Sequence, residues 1–185
     1  MSEQAIQRLN WGCGDHTLPG WINCDRRSLP RVDLACDIHD GLPLESQSID
    51  YITSIHALPE VPYNRLIPTL TELRRVLRPG GVLRLALPDL MKGVEAALRG
   101  ERDYFKIPDA DATDIRAKLV VQLIWYGYSR TLFTHEFIEE QLRKAGFARV
   151  DRCAFRQTCS RFSQIVELDN REAESLFVEA VNTCA

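Results

Sequence analysis

The sequence predicts a three-layer α/β sandwich around a mostly parallel sheet, and three observations carry that prediction. Short apolar runs alternate with segments of helical period along the chain. The first three runs each end in residues suited to a ligand, namely the glycines Gly12 and Gly14 and the carboxylates Asp25 and Asp37. Open parallel sheets bind ligands there, outside the carboxyl ends of their strands. Finally, one strand, one amphipathic helix and one strand follow each other over 49–87 with short joints, which implies parallel neighbours and a right-handed crossover.

Taken in order, Ile6, Leu9 and Trp11 lead a strand into the run LNWGCG from Leu9 to Gly14. Glycine at these positions lets the backbone lie against a small molecule. Gly12→Val is therefore expected to fill ligand space and leave the protein folded. Trp21–Asp25 and Val32–Asp37 read as second and third strands, and Ile49–Ile55 as a fourth, apolar enough to be central. Leu66, Leu70, Leu73 and Leu77 recur at three- and four-residue intervals, a helix with Pro68 in its first turn. Pro79, Gly80 and Gly81 end that helix, and Val82–Leu87 makes a fifth strand stopped by Pro88.

Two helical segments follow, over 89–99 and 111–126, the second with Ile115, Leu119, Val120, Leu123 and Ile124 on one side. With the polar and aromatic stretch between them they form a cap insertion over 89–134, leaving the carboxyl edge where substrate contacts concentrate. Thr134 caps a further helix, with Glu136 in its first turn and Gly146 at its close. Phe147–Phe155 alternates as a strand. Leu176–Val181 is the last strand, by its length and its Phe177 and Val178.

The spacing argues against a dinucleotide. The third small position of a GxGxxG fingerprint is Thr17, and Asp25 follows Gly14 by 11 residues, where that fingerprint places its carboxylate about twenty residues on. Asp15–Gly20 holds at most a turn or two, so the first helix is truncated and no helix N-terminus aims at a pyrophosphate. A nucleoside without phosphates fits better, because a carboxylate can take ribose hydroxyls with no anion cradle.

A chain of 185 residues buries about 70% of its unfolded surface, enough for one core, so 1–185 is expected to form a single domain. The net charge of −3 argues against general nucleic-acid binding. No apolar stretch approaches the roughly 20 residues that span a bilayer, and Met1–Ala5 lacks the basic start of a signal peptide. No membrane association and a cytoplasmic location are the expectation; the oligomeric state stays open. The 6 cysteines include no CxxC pair and no histidine at zinc spacing, so no metal site is expected. Cys13, Cys24 and Cys36 read as buried thiols acting as small hydrophobes, and Cys159 and Cys184 as exposed ones open to oxidation.

Five motifs in order carry a family resemblance: LNWGCG at 9–14, LPGWINCD at 18–25, Asp37 ahead of Leu42–Leu44, SIDYI at 48–52, and LRRVLRPGGVL at 73–83. Together they resemble the Rossmann-like, class I S-adenosylmethionine-dependent methyltransferases, in particular a short bacterial subgroup known only as predicted methyltransferases. The resemblance spans nearly the whole chain and is specific for the cofactor, S-adenosylmethionine, not for the acceptor. It implies a Rossmann-like sandwich whose last strand is antiparallel. It also implies that Asn10 and Trp11 belong to the cofactor-binding residues, that Gly12, Cys13 and Gly14 lie against the methionine portion, that Asp25 takes the ribose hydroxyls, and that Asp37 takes the adenine amine while Ile38 packs on the ring. Ser54–His56 would border the reactive methyl, with His56 as a catalytic candidate. Asp33 and Asp40 share a loop with Asp37 and compete with it for the adenine.

Two positions depart from the pattern. Asn10 stands where the family carries an acid for the cofactor's ammonium group, and an amide oxygen can accept that bond without supplying charge. The segment His56–Glu60 lacks the second histidine usual there, which puts general-base catalysis from this loop in doubt. A second catalytic candidate is His135, beside a helix N-cap, where the macrodipole keeps an imidazole neutral and able to accept a proton. Tyr104, Tyr126, Tyr128 and Arg130 fall in the cap, where they either pack or shape an acceptor pocket.

Methyl transfer from a sulfonium is an in-line displacement with an excellent leaving group, so it demands positioning and dryness more than a metal or a strong base. The leading expectation is transfer to a hydroxyl or amine of a small-molecule or saccharide acceptor, the saccharide being what the subgroup resemblance implies. The alternative is a non-catalytic or regulatory protein that keeps the fold and the cofactor site.

Overall fold

The computed structural model describes residues 5–183. Cys184 and the amino-terminal residues 1–4 lie outside them. Strands β1 (Arg8–Trp11), β2 (Ile22–Asp25), β3 (Leu34–Ala35), β4 (Ile49–Ile55), β5 (Leu77–Pro88), β6 (Arg149–Cys153) and β7 (Ser175–Val181) make one sheet in the order β3-β2-β1-β4-β5-β7-β6. Neighbours from β3 to β5 are parallel, and β7 runs antiparallel to both β5 and β6. The helices are α1 (Tyr63–Val76), α2 (Leu90–Arg99), α3 (Ile115–Ile124) and α4 (His135–Lys144). This is the predicted α/β sandwich with an antiparallel last strand. Residues 12–21 form turns where the first crossover helix would stand.

One face of the sheet is covered by α1 and α4. Leu66, Leu70, Leu73 and Val76 of α1 and Ile138 and Leu142 of α4 bury against Leu9, Ile52, Leu83, Leu85 and Val178, which is the apolar stripe a core-facing helix must supply. Thr134 caps α4 by accepting from the Phe137 amide, and Asp89 caps α2 by accepting from that of Met91.

Three local readings need correction. Helix α1 starts at Tyr63 behind Pro62, so Pro68 is inside the helix rather than in its first turn. The side chain faces solvent, where the carbonyl it leaves unpaired can be hydrated. Pro79–Gly81 does not separate helix from strand. It forms a bulged beginning of β5, between the pairs Ile49–Leu77 and Tyr51–Val82, and Asn182 exchanges backbone bonds with Gly80 and Gly81. In α3 the apolar side is not buried: Val120 is 57% and Ile124 44% exposed, while Lys118 is buried with its ammonium on the Ile107 carbonyl and Asp109. The helix faces a cavity rather than the core.

Among the described residues the other face carries no α-helix, only the short 3-10 turn Ser163–Val166. Trp21, Tyr51 and Val82 are covered by Phe162, Ile165 and Leu168 from the irregular stretch 154–169. Such a stretch brings backbone groups that need partners when buried, and a polar row across the sheet supplies them. Thr53, Arg84 and Glu179 sit side by side on β4, β5 and β7. Thr53 Oγ1 donates to the Ile165 carbonyl at 2.9 Å, and Arg84 donates to the carbonyls of Gln157 at 3.0 Å and Ala154 at 3.1 Å. Glu179 accepts from the Cys159 amide and the Thr158 hydroxyl. The Arg84 guanidinium also holds Asp169 through two bonds, at 2.9 and 2.5 Å, and Glu179 at 2.8 Å, all three side chains fully buried.

Replacing Arg84 by Met would strand two buried carboxylates, so Arg84→Met is expected to lower stability by about 3–5 kcal/mol. The measurement is the shift in urea midpoint at pH 7; a loss under about 1 kcal/mol would mean that the row does not hold the second face.

Candidate functional site

At the carboxyl edge of the parallel strands, under α2 and α3, lies a cavity of about 550 Å³. Its floor is the turn after β1. Gly12 and Gly14 adopt positive φ of 70° and 51°, and the amides of Gly12 and Cys13 both donate to the Cys24 carbonyl. Two buried amides fasten this turn. Asn10 Nδ2 donates to the His16 carbonyl at 2.8 Å and to Asn23 Oδ1 at 3.1 Å, and Asn23 in turn bonds the Leu18 amide and carbonyl. Asn10 thus spends its donors on the fold, and among the described residues nothing engages its Oδ1.

Gly12 is not the open ligand position expected. A Cβ there would come 2.1 Å from Cβ of Ala57, in a left-handed backbone, so the glycine is required by packing. Cys13 lines the cavity as a neutral thiol, its pKa pushed up to about 11 by burial and then by the Asp25 charge.

Asp25 ends β2 with its side chain 11% exposed. The Gly14 amide donates to Oδ2 at 2.8 Å, and the Arg27 amide and Nε donate to Oδ1 at 2.9 and 3.2 Å. Burial would raise this carboxyl, but those N–H donors and the guanidinium outweigh it and hold the acid below its ordinary range. Of the three aspartates that compete in the next loop, Asp37 lines the cavity, capping the short turn Ile38–Asp40. Asp33 is spent on the amide and side chain of Asn23. Ile38, 8% exposed, and Trp11, 7% exposed, complete this end.

His56 follows β4 and lines the middle of the cavity with φ of 56°. Its Nε2 is 2.7 Å from the Ser175 hydroxyl, and burial, then the Arg171 charge, press its pKa down to about 3. The imidazole is therefore neutral and a weak base. Ser54 does not line the cavity; it is buried in β4 with a hydroxyl that finds no partner among the described residues. Nor does His135, the first residue of α4, whose Nδ1 lies 3.8 Å from Glu139 on the same helix. Of the cap residues singled out, Tyr104 and Tyr128 line the cavity, whereas Tyr126 bonds Asp111 and Arg130 bonds Pro59 by its amide.

Residues 16–85 match the family model of a methyltransferase domain. A methyltransferase of Thermotoga maritima superposes with a TM-score of 0.59 at 16% identity, over 98% of this chain and 84% of that one. One of Archaeoglobus fulgidus gives 0.58 at 10% identity over 96% and 86%, and one of Mesorhizobium loti 0.53 at 18% over 95% and 90%. The chain carries the Rossmann-like fold of the S-adenosylmethionine-dependent methyltransferases. No curated protein matches it.

On this methyltransferase fold the sequence reading missed His16, Asp89, Trp125, Asn170, Arg171 and Glu174, all of which line the cavity. For Asp89 a signal existed, an acid at the end of an apolar strand like Asp25 and Asp37. The stretch ahead of β7 offered none, because no period marks it.

Gly12→Ala is expected to lower the melting temperature of the ligand-free protein, combining left-handed strain with overpacking of about 1–3 kcal/mol. An unshifted melt would restore the ligand-space reading. For His56 the sign follows from a folded pKa near 3 against 6.5 unfolded. The unfolded chain binds a proton that the folded one does not, so stability is unaffected above pH 6.5 and falls as pH drops from there toward 3. The slope is about 1.4 kcal/mol per pH unit, and His56→Asn, which tolerates positive φ, should flatten it in urea titrations between pH 7 and 5.

Proposed function

We propose that the protein transfers the methyl group of S-adenosylmethionine to a hydroxyl or amine of a small-molecule or saccharide acceptor. The observation that carries this reading is one cavity with two chemically different ends. A volume of about 550 Å³ is ordinary for a small-molecule site, roughly 300–1,000 Å³. One end holds the Gly12–Gly14 turn, Asp25, Asp37 and Ile38; the other runs under the α2–α3 cap.

The donor set at the first end suits the cofactor. Asp25 would take the ribose hydroxyls, Asp37 the adenine amine and Ile38 the ring, with Asn10 Oδ1 as an acceptor near the methionine portion. Trp11, Cys13 and Gly14 would wall it. When bound, S-adenosylmethionine supplies a methyl group already activated on a sulfonium. The chain then has to align the acceptor and keep water out, which Leu119, Leu123 and Trp125 of the cap favour by lining the cavity. His56, neutral and tied to Ser175, would position rather than abstract.

Arg27 would compete with the ribose, since its Nε already donates to Asp25 Oδ1. Its side chain is 56% exposed and free to withdraw. This arrangement also suits the second reading, a regulatory protein in which Arg27 governs cofactor access.

Calorimetry with S-adenosylmethionine tests the assignment. Asp25→Ala should weaken binding by about 1.5–3 kcal/mol, tenfold or more, and also lower the melting temperature, because the Gly14 and Arg27 amides lose their acceptor. Arg27→Ala should bind at least as tightly as the parent. Unchanged affinity in Asp25→Ala would overturn the ribose assignment, and binding without turnover on any acceptor would favour the regulatory reading.

A further inference from the structure

The cavity continues past His56 to a charge that the protein leaves unmatched. Asp89, at the junction of β5 and α2, is 7% exposed and lines this end. Its amide donates to the Glu174 carbonyl, and Leu90 donates to that of Phe133, so its backbone is held from two sides. Oδ1 accepts from the Met91 amide at 3.0 Å. Oδ2 takes no hydrogen bond, and no cationic side chain pairs with this carboxylate, among the described residues. The nearest lysine in sequence, Lys92, is turned away onto the carbonyls of Glu172 and Ser175.

The surroundings deepen the negative potential. Glu174 lines the same end, 3.1 Å from an Arg171 that is 42% exposed. His56 brings no charge, being held neutral by burial. The Tyr104 hydroxyl lies in the field of both acids: burial, then Glu174 and Asp89, push its pKa up to about 12, so it stays protonated as a donor. Trp125 and Tyr128 add aromatic wall. Trp125 has φ of 42° and His56 of 56°, left-handed backbone in two non-glycine residues of one cavity, the kind of strain that clusters at functional sites.

A carboxylate nine-tenths buried without a counter-charge is costly unless an occupant supplies one. We propose that Asp89 is the acceptor-binding residue of this cavity and that the acceptor is a protonated primary or secondary amine carried on an apolar or aromatic body. The inference rests on the methyl-transfer reading and narrows its acceptor from hydroxyl-or-amine to amine. Asp89 Oδ2 receives the ammonium, Glu174 adds to the field, and Trp125 and Tyr128 flank the body. In the transfer the ammonium gives one proton to Oδ2, and the freed nitrogen pair forms the N–C bond. The S–C bond breaks with its electron pair left on sulfur. The product leaves as a methylated ammonium, and Asp89 releases its proton to water.

The test uses the full chain saturated with S-adenosylhomocysteine, titrated calorimetrically at pH 7 with tyramine and with its neutral isostere 2-(4-hydroxyphenyl)ethanol. Tyramine should bind at least tenfold more tightly. Asp89→Asn should erase that preference while the fold stands, because Asn caps a helix as well as Asp; Glu174→Gln should reduce it. Equal binding of the two probes, binding of neither, or an undiminished preference in Asp89→Asn overturns the proposal. So does a loss of S-adenosylmethionine relative to S-adenosylhomocysteine affinity in Asp89→Asn, which would assign the carboxylate to the sulfonium. If the chain binds neither cofactor yet still prefers tyramine through Asp89, the amine site stands and the methyl-transfer reading fails.

Discussion

The Arg84 guanidinium, buried between Asp169 and Glu179, holds the sheet face that no α-helix covers among the described residues. A helix satisfies its own backbone and needs from the sheet only an apolar surface. The stretch 154–169 does not, so the sheet must offer donors and acceptors as well. Arg84 is suited to that task because its planar fork serves carbonyls and carboxylates in several directions at once. The consequence reaches the cavity. Asp169 is fixed by Arg84, and the residues that follow it, Asn170, Arg171 and Glu174, form a wall of the site. A buried charge on the second face thereby sets where this polar wall stands.

The same constraint operates on the opposite flank with amides in place of charges. Where the first crossover helix is missing, the turns of 12–21 take their partners from Asn10 and Asn23, two asparagines in adjacent strands that bond each other. The glycine turn is rigid for that reason and because Gly12 is pressed against Ala57. Thus a site that looks like a loop is held by the sheet on both sides, which is what a reaction governed by alignment requires.

Legibility followed from how each segment meets its partners. Strand β4 was read at its observed bounds, and β7, α2 and α4 to within a residue or two, because period, caps and burial agree there. The bulge at Pro79–Gly81 was read as a break, since the strand pairing that absorbs it comes from Asn182, about a hundred residues on. Helix α3 misled because its leucines line a cavity and its buried residue is a lysine. Arg84 and Glu179 carry a signal too, since opposite charges at the centres of two apolar strands mark a buried pair. In the site, the strand-end residues Gly14, Asp25 and Asp37 were found by chemistry at the right edge. The wall ahead of β7 was not, because it is placed by tertiary contacts alone.

The two carboxylates at the ends of the cavity are prepared differently, and the difference gives the site a direction. Asp25 receives two backbone N–H groups and a guanidinium, so it is ionised whether or not a ligand is present. Asp89, which lines the cavity, receives a single N–H on Oδ1, and its second oxygen takes no hydrogen bond among the described residues. A neutral group entering that end would add a hydrogen bond but leave the charge uncompensated, whereas a cation answers both demands. Between the two stands His56, uncharged and tied to Ser175, so the imidazole itself adds no positive charge there. An imidazolium there would repel a cation at either end, and burial of this histidine removes that repulsion.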